Sequence, residues 1–153
     1  MKSNLQTPRA HGFTLIELVI AIVVVAILAA IAIPSYRHAI EKSRRTDART
    51  AVLDLAAREQ RYYGTQNSFT TVFADLGYAP AGQMPTSVTV GSGYYTVALG
   101  PAIATDPPTF TVTATATGAQ LDDTGCRTFT VDNTGLQKAY DSSGNDNTTT
   151  CWE

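Results

Sequence analysis

The chain has 153 residues, enough for one modest domain with an appendage and too few for two full cores. Charged residues make up only 16%, and the net charge of -2 hides an uneven distribution. Between Ser35 and Tyr63 stand seven Arg/Lys and four Asp/Glu; after Gly64, Arg127 and Lys138 face eight acids, so a mildly basic stem carries an acidic head poor in the clustered cations that phosphate binding needs.

The first twelve residues are polar, with Lys2, Arg9 and His11. Phe13 to Ile33 is a 21-residue run whose one charge is Glu17, and Leu18 to Ile33 has no polar side chain. As a helix the run is about 31 Å long, the thickness of a bilayer core. A carboxylate in such a span costs several kcal/mol and points to function; the bland alternative is a tolerated, protonated glutamate. A secretory signal would be shorter. Ala29, Ala30 and Ala32 imitate a signal-peptidase site, but the helical pattern beyond Pro34 favours retention of the segment. Arg37, Lys42, Arg44, Arg45 and Arg49 follow so closely that Lys/Arg counting alone would put the N-terminus outside the cytosol, so charge does not settle the orientation.

Pro34 removes a helical hydrogen bond and crowds the carbonyl four residues back. It reads either as a bend point or as a helix boundary. From Ser35 to Tyr63 the pattern is helical again: Ala48, Ala51, Val52, Leu55, Ala56, Tyr62 and Tyr63 form an apolar stripe for a head domain, and Gly64 is the expected C-cap. The basic residues Arg37, Lys42, Arg44 and Arg45 are a solvated face or a contact for subunits or lipid headgroups, with nucleic acid as a weaker reading.

Residues 65 to 85 read as a loop pinned by Phe69, Phe73, Leu76 and Tyr78. Strands are expected at Val88–Val90, Tyr94–Leu99, Thr109–Ala116 and Arg127–Val131, the last followed by the turn Asp132-Asn133-Thr134-Gly135, with a short piece at Leu136–Ala139. Three or four antiparallel strands on the helical stripe give an α+β head. The acidic tail from Asp141 to Asn147 has oxygen ligands for calcium but lacks the spacing of an EF-hand loop; the plainer reading is a loop held by Cys126 and Cys151. That pair reads as a disulfide in a chain that leaves the cytosol, or as two free thiols. His11 and His38 are distant in sequence, so a metal set is not expected. Asn147-Thr148-Thr149 is a weak match to a glycosylation acceptor.

Gly12-Phe13-Thr14-Leu15-Ile16-Glu17 before an apolar run resembles the class III signal of type IV pilins and type II secretion pseudopilins. The resemblance implies a prepilin peptidase cut between Gly12 and Phe13 and N-methylation of Phe13. Glu17, one turn from the new amine, would pair with it, or with a neighbour's amine in a filament, removing two costly isolated charges. Pro34 also matches the family and would serve subunit assembly as a bend point. The implied organisation is a leader at 1–12, a transmembrane and polymerisation helix at 13–34, an amphipathic helix at 35–64 and a periplasmic head at 65–153. The implied fold is that of a type IV pilin, a long N-terminal helix packed on a three- or four-stranded antiparallel sheet with a C-terminal disulfide loop.

Arg61-Tyr62-Tyr63-Gly64-Thr65-Gln66-Asn67-Ser68-Phe69-Thr70, the segment Cys126 to Gly135 and the terminal Cys151-Trp152-Glu153 resemble PilE-type pilins, with a ComP-like C-terminal domain. The resemblance implies a structural subunit of a type IV pilus, of the minor kind, drawn from the inner membrane into a retractable fibre for twitching motility, adhesion or DNA uptake. Its partners would be other pilin subunits, membrane lipid, the prepilin peptidase and the assembly platform. DNA is the weaker partner, since the head offers only Arg127 and Lys138. The alternatives are a DNA-uptake receptor pilin and a type II secretion pseudopilin. No nucleotide loop, nucleophile–base pair or metal set is present in the sequence, so neither an enzyme nor a cofactor is expected.

Overall fold

A computed structural model describes residues 13–79, 85–100 and 107–153. The chain divides into two compact units, Met1–His38 and Ala39–Glu153.

Helix α1 runs Leu15–Gln66 with Pro34 inside it. Pro34 therefore is not a helix boundary, which removes one of its two readings. The first unit holds the apolar part of α1. Its large side chains are exposed, from 47% at Val19 to 83% at Leu15, and the stretch is long and apolar enough to cross a membrane.

In the second unit α1 continues with good helix formers, Ala, Leu, Arg, Glu and Gln. Ala48, Ala51, Val52, Leu55 and Ala56 are buried as the stripe predicts, and Glu59 is buried with them. Tyr62 packs at the edge of the core. Gly64 is not the cap: the helix runs two residues further and stops at Asn67, which takes φ 54° while its N–H donates to Tyr63 O at 2.8 Å. That is the left-handed cap with its single bond to the last turn, and asparagine tolerates it nearly as well as glycine.

Five strands form one antiparallel meander in the order β1-β2-β3-β4-β5: β1 Val88–Val90, β2 Tyr95–Leu99, β3 Thr111–Ala116, β4 Thr128–Asp132 and β5 Gln137–Tyr140. Every predicted strand exists, but the expected three or four become five. The edge pieces β1 and β5 are short, yet they complete ladders with β2 and β4, and short edges are how sheets blunt unpaired backbone. A 3-10 turn, Gly118–Asp122, joins β3 to β4. A short helix α2, Thr148–Trp152, follows β5; its five residues are too few to read from periodicity.

Period-two alternation separates the faces. Tyr95, Val97, Val112, Ala114, Ala116, Phe129, Val131 and Ala139 turn into the core with the α1 stripe. Threonines take the other face, and Thr89, Thr96, Thr115 and Thr128 lie in one register row across four strands. Phe73 and Leu76 of the loop after α1 are buried, with Phe69 and Tyr78 packed against the core. Phe69 also stacks on Tyr63 and meets Phe110 edge-on at 4.7 Å. The β1–β2 turn needs Gly91: its φ is +58°, and a Cβ there would lie 2.6 Å from the Asp47 side chain.

Candidate functional site

The first candidate site is the start of α1. Thr14 precedes the helix; its backbone oxygen accepts from Leu18 N, and its Oγ1 accepts from Glu17 N at 3.3 Å. Thr14 is thus the N-cap and Glu17 the third helical residue, the Thr-x-x-Glu order of a capping box. The reading of Glu17 as a pairing group overlooked this, although the pattern stands in the sequence. A carboxylate in the first turn also faces the positive end of the helix dipole. Phe13 and Glu17 are both exposed. Gly12 lies outside the described residues. Pro34 is in the same helix but far along it, so the structure groups Phe13 with Glu17 and leaves Pro34 apart.

The second candidate is the polar seam that ties α1 to the head. Asp123, 3% exposed, takes Arg45 through two bonds, 2.7 Å from Nε and 2.9 Å from Nη2. It also accepts from Gln120 Nε2 and from Cys126 N. Gln120 reaches the backbone oxygen of Glu41 at 3.3 Å. Next to this cluster Tyr95 is fully buried; burial first, then the charge of Asp123, pushes its hydroxyl up to about 12. Cys126 and Cys151 are joined by a disulfide with Cα atoms 5.6 Å apart, so the disulfide reading holds and the free-thiol reading falls. Trp152 beside it meets Phe129 edge-on at 5.8 Å.

The arginines of the second unit are largely engaged within it. Arg44 stacks on Tyr94, 3.6 Å from the ring centre. Arg58 bonds Asp54 and Leu76 O, and Arg127 donates to Leu121 O. Lys42 and Arg61 are exposed. The acidic tail folds on itself: Asp141 Oδ1 accepts from Ser143 N and Asn145 N, Asp141 Oδ2 from Asn145 Nδ2, and Asp146 Oδ1 from Thr148 N. The Asn145 bonds, side chain first, hold Asp141 below the ordinary carboxylate range. Among the described residues no three His, Cys, Asp or Glu gather as a metal set would require.

One row of exposed positions on α1 within the second unit follows a rule. Ser43, Thr46, Thr50, Leu53, Ala57, Gln60 and Gly64 alternate steps of three and four and none is charged, while the exposed Lys42 and Arg61 stand beside the row. This is the spacing of a helix-packing seam.

Comparison with known proteins places these features. The family described as type IV minor pilin ComP, DNA uptake sequence receptor, matches residues 34–130, more than half of the chain. The prokaryotic N-terminal methylation motif matches residues 7–33. The type IV major pilin protein PilA of Myxococcus xanthus is 32% identical over 80 residues, 52% of this chain and 36% of that protein. Fimbrial protein Q of Moraxella bovis is 35% identical over 101 residues, 58% of this chain and 64% of that protein. The chain thus spans less than two thirds of either relative's length. A solved type IV pilin from Shewanella oneidensis superposes with a TM-score of 0.45 at 23% identity, covering 63% of this chain and 89% of that one.

Proposed function

The chain belongs to the type IV minor pilin ComP family, and from that membership we propose that it is a structural subunit of a type IV pilus. One observation carries the proposal. Fourteen large apolar side chains between Phe13 and Ile33 are exposed. At even about 1.5 kcal/mol each, leaving them in water costs about 20 kcal/mol, more than the roughly 5–15 kcal/mol that holds a domain folded. They need lipid before assembly and other helices after it, which is the life of a membrane-stored filament subunit. The uncharged seam Ser43 to Gly64 extends the surface available to neighbouring subunits.

In this reading residues 1–12 are a leader removed by a prepilin peptidase between Gly12 and Phe13, and the Phe13 amine is methylated. The match of residues 7–33 to the methylation motif supports both steps. Glu17 offers its exposed carboxylate to that amine or to a neighbour's, while Thr14 caps the helix without consuming the side chain of Glu17 in the bond described. Residues 13–34 sit in the inner membrane and then in the filament core, with Pro34 the point where the helix yields. Residues 35–64 and 65–153 lie in the periplasm and then on the fibre, and the assembly platform is the partner that moves the subunit between the two. The test is the fibre itself. Sheared surface fibres, blotted for this chain, are expected to contain it at processed size, and its deletion is expected to impair twitching or uptake. Absence from fibres, with a defect in protein secretion instead, would support the pseudopilin reading.

The family description supplies a second reading, reception of a DNA uptake sequence. Phosphate contacts need clustered, available cations, and here Arg44, Arg45, Arg58 and Arg127 are engaged internally. The subunit reading therefore ranks first. Full-length chain in detergent, titrated with duplex DNA at low salt, is expected to show no saturable binding. Saturable, sequence-selective binding that weakens steeply with salt would promote the DNA reading.

A further inference from the structure

The sequence pattern set aside one buried charge. Glu59 lies in the α1 stripe between Leu55 and Tyr62, among stripe residues that are otherwise apolar, and it is 0% exposed. Its Oε2 accepts from Thr70 N at 3.1 Å, in the loop that follows α1. Its Oε1 is buried with no partner among the described residues. An ionised carboxylate with one oxygen unsatisfied is the arrangement that burial penalises most.

The loop places a second carboxylate against it. Thr70 Oγ1 donates to Asp75 Oδ2 at 2.8 Å and accepts from Val72 N at 3.0 Å, so Thr70 bridges the two acids. On α1, the adjacent Arg58 is engaged by Asp54 and by the Leu76 backbone oxygen. Arg61 is exposed. Among the described residues no ion pair compensates Glu59. Asp75 is the charged group that bears on it from the loop, and it repels.

We propose that Glu59 is a proton-operated latch between α1 and the loop 68–78, gripping the loop more firmly when its carboxyl carries a proton. The proton removes the buried charge and the repulsion from Asp75, while the remaining carbonyl oxygen still accepts from Thr70 N. Burial, opposed by the Thr70 bond and reinforced by Asp75, pushes Glu59 from 4.5 to about 6. The closed latch thus binds a proton more tightly than the opened one. Its stability is full below pH 4.5 and falls as the pH rises through 6.

The test is amide hydrogen exchange of the full chain in detergent micelles, followed at Thr70 and Val72 and corrected for the intrinsic pH dependence of exchange. Protection in the wild type is expected to rise about eightfold from pH 7 to pH 5, the factor set by that displacement. Glu59→Gln keeps the acceptor and cannot titrate, so its protection is expected to be flat and at the protonated level. Asp75→Asn keeps the Thr70 contact and removes the repulsion, so its rise is expected at lower pH. Wild-type protection that does not change between pH 7 and 5, an eightfold rise retained in Glu59→Gln, or a midpoint in Asp75→Asn that stays or moves up would each overturn the proposal.

Discussion

Between Leu18 and Ile33, α1 is apolar on every side and exposed; between Ala48 and Glu59, the same helix buries one stripe and shows solvent an uncharged seam flanked by charges. Backbone geometry is common to both stretches, but the source of stability is not. The later stretch carries its partner in its own chain, a five-stranded sheet whose inner face draws on all five strands, Val90 of β1 included. Among the described residues the earlier one has none, and it borrows stability from what surrounds it. Helices draw most of their stability from packing rather than propensity, so one helix can belong to two environments in turn. A storage state in lipid and a working state in a filament ask for this division.

The sharpest way to break the comparison is to hold the first stretch in its unprocessed form. Gly12→Ser is expected to abolish processing and with it incorporation into fibres, while the head folds normally; a processed-size band on a blot of that variant would sink the proposed cut. Glu17→Val comes next. Membrane insertion is expected to persist, because the change removes a charge from the span, and fibre incorporation is expected to fall at least tenfold. Unchanged abundance of the variant in sheared fibres would end the pairing role.

The second stretch breaks differently, by loss of its own partner. Phe129 is fully buried and touches Tyr95 and Trp152 edge-on. Phe129→Ala is expected to cost the head about 3–5 kcal/mol, measured by denaturant unfolding, with no effect on membrane retention. The disulfide ranks below it. It closes a sequence separation of 25 residues, and replacing Cys126 and Cys151 together by Ser is expected to cost about 3 kcal/mol. A loss under about 1 kcal/mol would mean that α2 and the Asn147 bond to Gly125 O hold the tail unaided.

Much of this was legible in the sequence for identifiable reasons. Alternation in Thr111–Ala116 and Thr128–Asp132 marks half-buried strands because side-chain period and strand period coincide, and the stripe from Ala48 to Ala56 marks a docked helix the same way. What escaped was set by polar detail. Asn67 ended the helix two residues past the expected glycine because a side chain can substitute for the absence of one at positive φ. Glu59 continues the three-and-four spacing of the buried stripe, but a carboxylate is not counted as core when apolar residues are scored. Thr14 and Glu17 formed a capping pattern that the expectation of an ion pair obscured. The Arg45–Asp123 contact joins residues 78 apart, and no local pattern announces a partner at that distance.

That contact is also where the comparison can be made most precise. The Glu41 backbone oxygen and Arg45 are bonded to the later part of the chain ahead of Ala48, the first buried apolar residue of α1, so they bear on where the helix ceases to depend on its surroundings. Asp123 is 3% exposed and Arg45 19%; removing one partner leaves a charge without its counter-ion, whereas removing both leaves only altered packing. Arg45→Met is expected to cost about 1–2 kcal/mol, because Gln120 Nε2 and Cys126 N still serve Asp123. Asp123→Asn is expected to cost somewhat more, since Arg45 and the Cys126 N–H both lose a charged acceptor. Measured as a double-mutant cycle, the coupling is expected near 1–2 kcal/mol, and hydrogen exchange at residues 41 to 48 should rise in either single variant while residues 51 to 59 stay protected. Coupling near zero would place the start of the self-supporting helix at Ala48, where apolar burial begins, and would show that the polar seam follows the packing rather than fixing its edge.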